Sequence, residues 1–129
     1  MKRTDISGTS PFFIVHDVPT ALSFYRDKLD FEVTFQEPAQ DPFFAIVCRD
    51  GAMIMVKFVG VEPVPNCKRE PQARWDAYLN VPDPDALAVE FASRGVAFSV
   101  PLKDTHDGLR GFELHDADGY VLFFGRPRA

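Results

Sequence analysis

Two acids stand among apolar neighbours: Asp76 between Trp75 and Ala77, and Glu113 between Phe112 and Leu114. Alternate residues of a strand share a face, so Gly111, Glu113 and His115 point away from Phe112 and Leu114. Two carboxylates meeting in an apolar recess would recognise an amine or share one proton. At the wet rim of an open sheet they would simply be solvated. Lys103, His106 and Asp107 precede this run, where they suit contact with a ligand at a pocket mouth and suit solvation equally well. Arg110 either meets an anion or pairs with an acid on the rim. His16 stands before a helix start and His115 before a hairpin, and capping or surface roles suffice for both. The chain has no Ser/His/Asp arrangement, phosphate-cradling glycine loop or His-Glu-x-x-His run that would support hydrolysis or nucleotide chemistry. Cys48 lies in an apolar strand-like run and Cys67 in a proline-rich stretch, without Cys-x-x-Cys spacing, so both read as free thiols.

The elements that must position these residues come in two copies. Phe12 to Val18 with Asp50 to Val56 returns, roughly 65 residues later, as Asp76 to Asp83 with Asp118 to Phe124, the mark of a repeated supersecondary unit. In the first copy, strands are expected over Phe12–His16, Phe31–Gln36, Phe43–Cys48 and Ala52–Val59, with a helix that has Pro19 in its first turn and whose Ala21, Leu22, Tyr25 and Leu29 recur at helical spacing. Asp50-Gly51 suits a tight hairpin. The second copy repeats this order: a strand over Trp75–Val81, a helix opened by Asp83-Pro84-Asp85, then strands over Val96–Val100, Arg110–His115 and Tyr120–Gly125. Gly95 falls where a left-handed helix cap belongs; the matching residue of the first copy is Asp30, where strain or an altered cap is expected. The fold class is therefore α+β, two tandem βαβββ modules forming a half-open barrel around a cavity. The modules span residues 9–60 and 74–126, and residues 61–73, with Pro63, Pro65 and Pro71, join them within one domain.

Two runs carry a family resemblance. Asp17-Val18-Pro19-Thr20-Ala21-Leu22-Ser23-Phe24-Tyr25-Arg26-Asp27-Lys28-Leu29-Asp30-Phe31 and His115-Asp116-Ala117-Asp118-Gly119-Tyr120 resemble the paired signatures of the vicinal oxygen chelate superfamily. That group holds glyoxalase I, bleomycin-resistance proteins, fosfomycin-resistance thiol transferases and extradiol dioxygenases. In its metal-dependent members, strand residues of His, Gln or Glu type hold a divalent ion. The matching positions here are Ser10, Met55, Asp76 and Phe123. Only Asp76 is an ordinary ligand, since Met and Phe do not hold a hard cation and a lone hydroxyl is a weak donor, so no metal and no cofactor are expected. Met55 and Phe123 are either core residues or apolar replacements on a cavity wall. The resemblance is nearest to the metal-free bleomycin-resistance group: Phe44 to Met53 and Arg110 to Asp116 resemble its runs, although the tryptophan common before the second run is replaced by His106-Asp107-Gly108-Leu109.

The function implied is sequestration of a partly aromatic small molecule, with Ser10, Met55, Asp76, Lys103, His106, Arg110, Glu113 and Phe123 as candidate binding residues and none catalytic. The alternative is a lyase or dioxygenase with an atypical metal site built from Asp76, Glu113 and His106. For a protein-binding regulatory role the chain offers nothing positive. The resemblance also implies a homodimer in which Ser10 and Met55 face Asp76 and Phe123 of the other chain if the modules are exchanged, and the connector leaves exchange open. A net charge of −5 over 129 residues provides no basic stripe for nucleic acid. No apolar run approaches the roughly 20 residues of a membrane span, and Met1 to Asp5 leads into no signal-type segment, so a cytoplasmic protein is expected.

Overall fold

The first strand, β1 (Phe12–Ile14), gives way at Asp17 to helix α1 (Val18–Ser23). The Asp17 carboxylate accepts from the Thr20 N–H at 2.9 Å, satisfying an orphan donor of the first turn, and Pro19 sits where no donor is needed. The helix then loosens into a π-helical turn over Phe24–Lys28 and stops at Asp30, whose φ is +58°. Asp30 thus takes the left-handed conformation that Gly95 takes, at φ +78°, after the second helix of this kind, and of the two expectations there it is local strain in a residue with a Cβ that the backbone shows. Strands β2 (Glu32–Glu37), β3 (Phe44–Arg49) and β4 (Ala52–Lys57) complete the first module. In its last hairpin the positive φ, +50°, falls on Asp50.

The computed structural model describes residues 1–128. Within the connector, a short helix α2 (Asn66–Arg69) forms that composition did not announce. The second module runs β5 (Ala77–Asn80), α3 (Pro84–Ser93), β6 (Val100–Asp104), β7 (Leu109–His115) and β8 (Val121–Pro127). Asp83 caps α3 by accepting from the Ala86 N–H at 3.1 Å. Strand β6 begins at Val100 instead of ending there, which corrects the expected span and moves Lys103 from a loop onto a strand. The reason is local: Pro101 has no N–H for the ladder, the β6–β7 register slips between Val100 and Lys103, and pairing resumes beyond it.

The strands form two four-stranded sheets, ordered β1-β4-β3-β2 and β5-β8-β7-β6, each with one parallel pair, β1 with β4 and β5 with β8. In the first, Phe13, Ala45, Val47, Ile54 and Val56 are buried on the helix side. In the second, Phe112 and Phe124 stack at 5.4 Å and meet Phe91 of α3 edge-on. One buried cluster includes residues of both modules. They join where the β7–β8 turn inserts against β1 and α1: the Phe13 and Tyr120 rings stack at 4.1 Å, the Tyr120 hydroxyl donates to the Ile14 carbonyl, and the Tyr25 hydroxyl donates to Asp116, each at 2.6 Å. Arg49 adds a two-bonded ion pair with Glu90 of α3. Among the described residues no helix is long and apolar enough to cross a membrane.

Candidate functional site

Each sheet has a second face, turned away from its helix. On the second module this face forms the floor of an open recess of about 430 Å³, closed on one side by the connector residues Cys67, Pro71 and Ala73. The floor is aromatic. Phe123 lies stacked against Trp75, at 4.5 Å, and Tyr78, at 5.6 Å. Its ring folds along the strand over the paired glycines Gly111 and Gly125, where a Cβ would meet Phe123 Cε1 at 2.7 Å and 2.5 Å. Glycine is required at both places for the ring to lie flat, and the ring in turn covers backbone that glycine leaves bare. Phe123 is only 2% exposed, so the half-buried Trp75, the chain's one tryptophan, presents the aromatic surface to the recess.

Polar groups ring this floor. The Arg74 guanidinium lies 4.3 Å over the Trp75 ring and forms an ion pair with Asp107. The Thr105 hydroxyl and Arg74 together hold the Asp107 carboxyl down at about 2. Glu113 accepts from the Ser99 hydroxyl at 2.7 Å, and His115 Nε2 stands 3.9 Å from it. Lys103 projects from β6 beside Gly111, and His106 lies in the turn that follows.

Four of the eight sequence candidates, Lys103, His106, Glu113 and Phe123, therefore meet in one recess. Asp76 borders it with its carboxylate turned into the backbone: one oxygen accepts from the Asn66 N–H and the other from the Val121 N–H, both at 2.8 Å. Those bonds fix the start of α2 and the entry to β8. Asp76 and Glu113 thus have separate donors and do not form the paired carboxylates considered above. Arg110 is on the opposite face, bound twice by Asp85 at 2.8 Å and once by Asp104 at 3.0 Å, which raises its own pKa and lowers that of Asp85. Ser10 and Met55 belong to the first module, where the Met55 N–H donates to the Pro11 carbonyl, and neither lines the recess. Sequence reasoning did not single out Trp75, Tyr78, Arg74 or the glycine pair. A lone tryptophan beside the Asp76 strand start was the available signal.

The four positions that hold metal in metal-dependent relatives do not fit a divalent ion in this chain. Both Asp76 oxygens accept backbone hydrogen bonds, Phe123 is covered by other rings, and Met55 has only a soft sulfur to offer. No cluster of three or more His, Cys, Asp or Glu side chains suited to a metal occurs among the described residues.

The corresponding face of the first module is also uncovered. Phe12, Ile46, Met55 and Phe35 lie in one row across the sheet, next to Phe44 and Met53, and Phe12 and Phe35 are 54% and 48% exposed. A second hollow, around Asp30 and Asp50, is polar, and its Arg49 is already bound to Glu90 and the Leu29 carbonyl.

Comparison with known proteins agrees with this architecture. Solved structures similar to the chain include the bleomycin-binding protein of bleomycin-producing Streptomyces verticillus in complex with copper(II)-bleomycin. It is 27% identical, with a TM-score of 0.71 over 95% of this chain and 97% of that one. TioX of Micromonospora sp. ML1 is 21% identical, with a TM-score of 0.70 over 93% and 99% of the two chains. TnmS3, an antibiotic binding protein of Streptomyces sp. CB03234, is 22% identical, with a TM-score of 0.71 over 98% of each. No curated relative matches. A family model described as glyoxalase/bleomycin resistance protein/dioxygenase superfamily matches residues 9–124, which takes in both modules. With that match and two four-stranded sheets built from βαβββ modules, the chain belongs to the glyoxalase/bleomycin resistance protein/dioxygenase superfamily.

Proposed function

We propose that this protein is a metal-free binder that sequesters a partly aromatic small molecule against the second-module recess. The observation that carries the reading is Trp75, backed by the stacked Phe123 and Tyr78 rings, as the aromatic surface of a recess of about 430 Å³ rimmed by a few polar groups. That combination suits a planar ligand that stacks on Trp75 in exchange for the Arg74 guanidinium lying over its ring and is oriented by hydrogen bonds. Similar proteins include one that binds copper(II)-bleomycin and one described as antibiotic binding, which supports a binding role. The working unit in this reading is a homodimer: the uncovered aromatic face of one chain's first module closes the recess of its partner's second module. Self-association by such a symmetric exchange covers both apolar faces at once. Free Cys48 and Cys67 accord with a reducing compartment, here taken as the cytoplasm.

The test is a panel of planar aromatic antibiotics and metabolites against chelator-treated protein, read by thermal unfolding. A ligand at about 100 times its dissociation constant stabilises the folded state by about 2.7 kcal/mol, several degrees in a domain of this size. Replacement Trp75→Leu removes a stacking surface and should weaken binding by about 0.5–1.5 kcal/mol, measured by calorimetry. Shifts that appear only after a divalent metal is restored, or consumption of the compound, would contradict the reading.

A further inference from the structure

The geometry points to an anionic occupant: a planar aromatic compound whose negative group meets Lys103 and His106 while its ring system takes the place of the Arg74 guanidinium over Trp75. This rests on the binding role just proposed and specifies its ligand class. Each acid around the recess already accepts a hydrogen bond, and Asp107 also meets a cation. Asp76 accepts from the Asn66 and Val121 N–H groups, Asp107 is held by Thr105 and Arg74, and Glu113 accepts from Ser99 with His115 beside it. By contrast, Lys103 and His106 line the recess with no hydrogen-bond or ion-pair partner among the described residues. Both stand on the same wall, Lys103 on β6 and His106 in the turn just after it. Apart from the Cys67 thiol, the ionisable groups left without a partner in the recess are thus donors, on a molecule whose overall charge is −5. The first-module face adds Lys57 and Glu37 on one row flanking its apolar centre and Glu32 on the other, so the donors that meet an anionic occupant are those of the recess.

Three probes of one shape separate the possibilities: anthraquinone-2-carboxylate, its neutral 2-carboxamide, and the cationic 2-aminomethyl compound. Trp75 is the only tryptophan and faces the recess, so quenching of its fluorescence reports binding at this site. The carboxylate should bind about fivefold more tightly than the amide, the size expected of one partly exposed charge pair, and the amine more weakly than either. Lys103→Met, which keeps the apolar stem, should bring the carboxylate-to-amide ratio close to one, and added salt should shrink the ratio in the unsubstituted protein. Equal binding of the three, a preference for the amine, or a ratio unmoved by Lys103→Met would overturn the anionic assignment and leave the binding role standing. Failure of all three probes to quench Trp75 would overturn both.

Discussion

At the residue scale, the most informative side chain is Asp76, because its type suggested one role and its contacts give another. Its strand position marked it as the one ordinary ligand among the four metal positions and, with Glu113, as a ligand-binding acid. The folded chain uses both oxygens to accept backbone N–H groups from α2 and β8, 10 and 45 residues away in sequence. That could not be read beforehand, since the Asn66 donor belongs to a short helix with no sequence signature. Asp76→Asn keeps the shape but turns an amide NH2 toward one of those donors, so a loss of about 1–3 kcal/mol in denaturant unfolding is expected. An unchanged midpoint would return Asp76 to the list of ligand contacts. Glu113 was legible from strict alternation along β7, whereas Phe123, in the continuous apolar run of β8, was reached through the resemblance alone.

At the scale of elements, the junction between modules is a small polar network around the β7–β8 turn. Asp116 accepts from the Tyr25 hydroxyl and from the Asp118 and Tyr120 N–H groups, yet burial outweighs these bonds and raises its carboxyl from 3.8 to about 6. His16 bridges Asp118, at 2.9 Å, and Glu62, at 3.0 Å, and its pKa is raised, chiefly by the Asp118 hydrogen bond. The signs agree. Between about pH 4 and 6 the folded chain binds the Asp116 proton more tightly than the unfolded chain does, so stability falls as pH rises through that window, by on the order of 2–3 kcal/mol. The His16 contribution is full below 6.5 and is lost as pH climbs through its raised value. Asp17, Asp85, Glu90 and Asp107 act in the opposite sense, but their lowered pKa values confine their effect to more acidic solution. Denaturant midpoints should therefore drop between pH 5 and pH 8, and Asp116→Asn should remove most of the drop below pH 6. A midpoint that rises over that range would contradict this account of the junction. The elements themselves were largely legible: the Asp83 cap, the strained helix end at Asp30 and the order of strands and helices along each module follow from local chemistry. Where reading failed, at β6, a proline and a register slip moved the pairing, and β-propensity alone cannot place a slip.

At the scale of the whole molecule, what the chain leaves uncovered matters most. The first-module face carries Phe12, Phe35, Phe44, Ile46, Met53 and Met55 without a helix over it, and the second-module recess is open on the side a second copy would close. Phe35→Glu places a charge within that apolar face and should shift the mass in solution from dimer toward monomer, as read by sedimentation; an unaltered dimer would locate the interface elsewhere. The repeat and its two signatures made the architecture readable from the sequence, whereas the recess needed long-range packing of Trp75 and the connector against β8. Native mass spectrometry of chelator-treated protein with the tightest of the three anthraquinone probes tests the central claim most directly. The account predicts a dimer carrying two probe molecules of unaltered mass and no metal. A monomer carrying the probe, a probe of changed mass, or occupancy that returns only with added metal would contradict it.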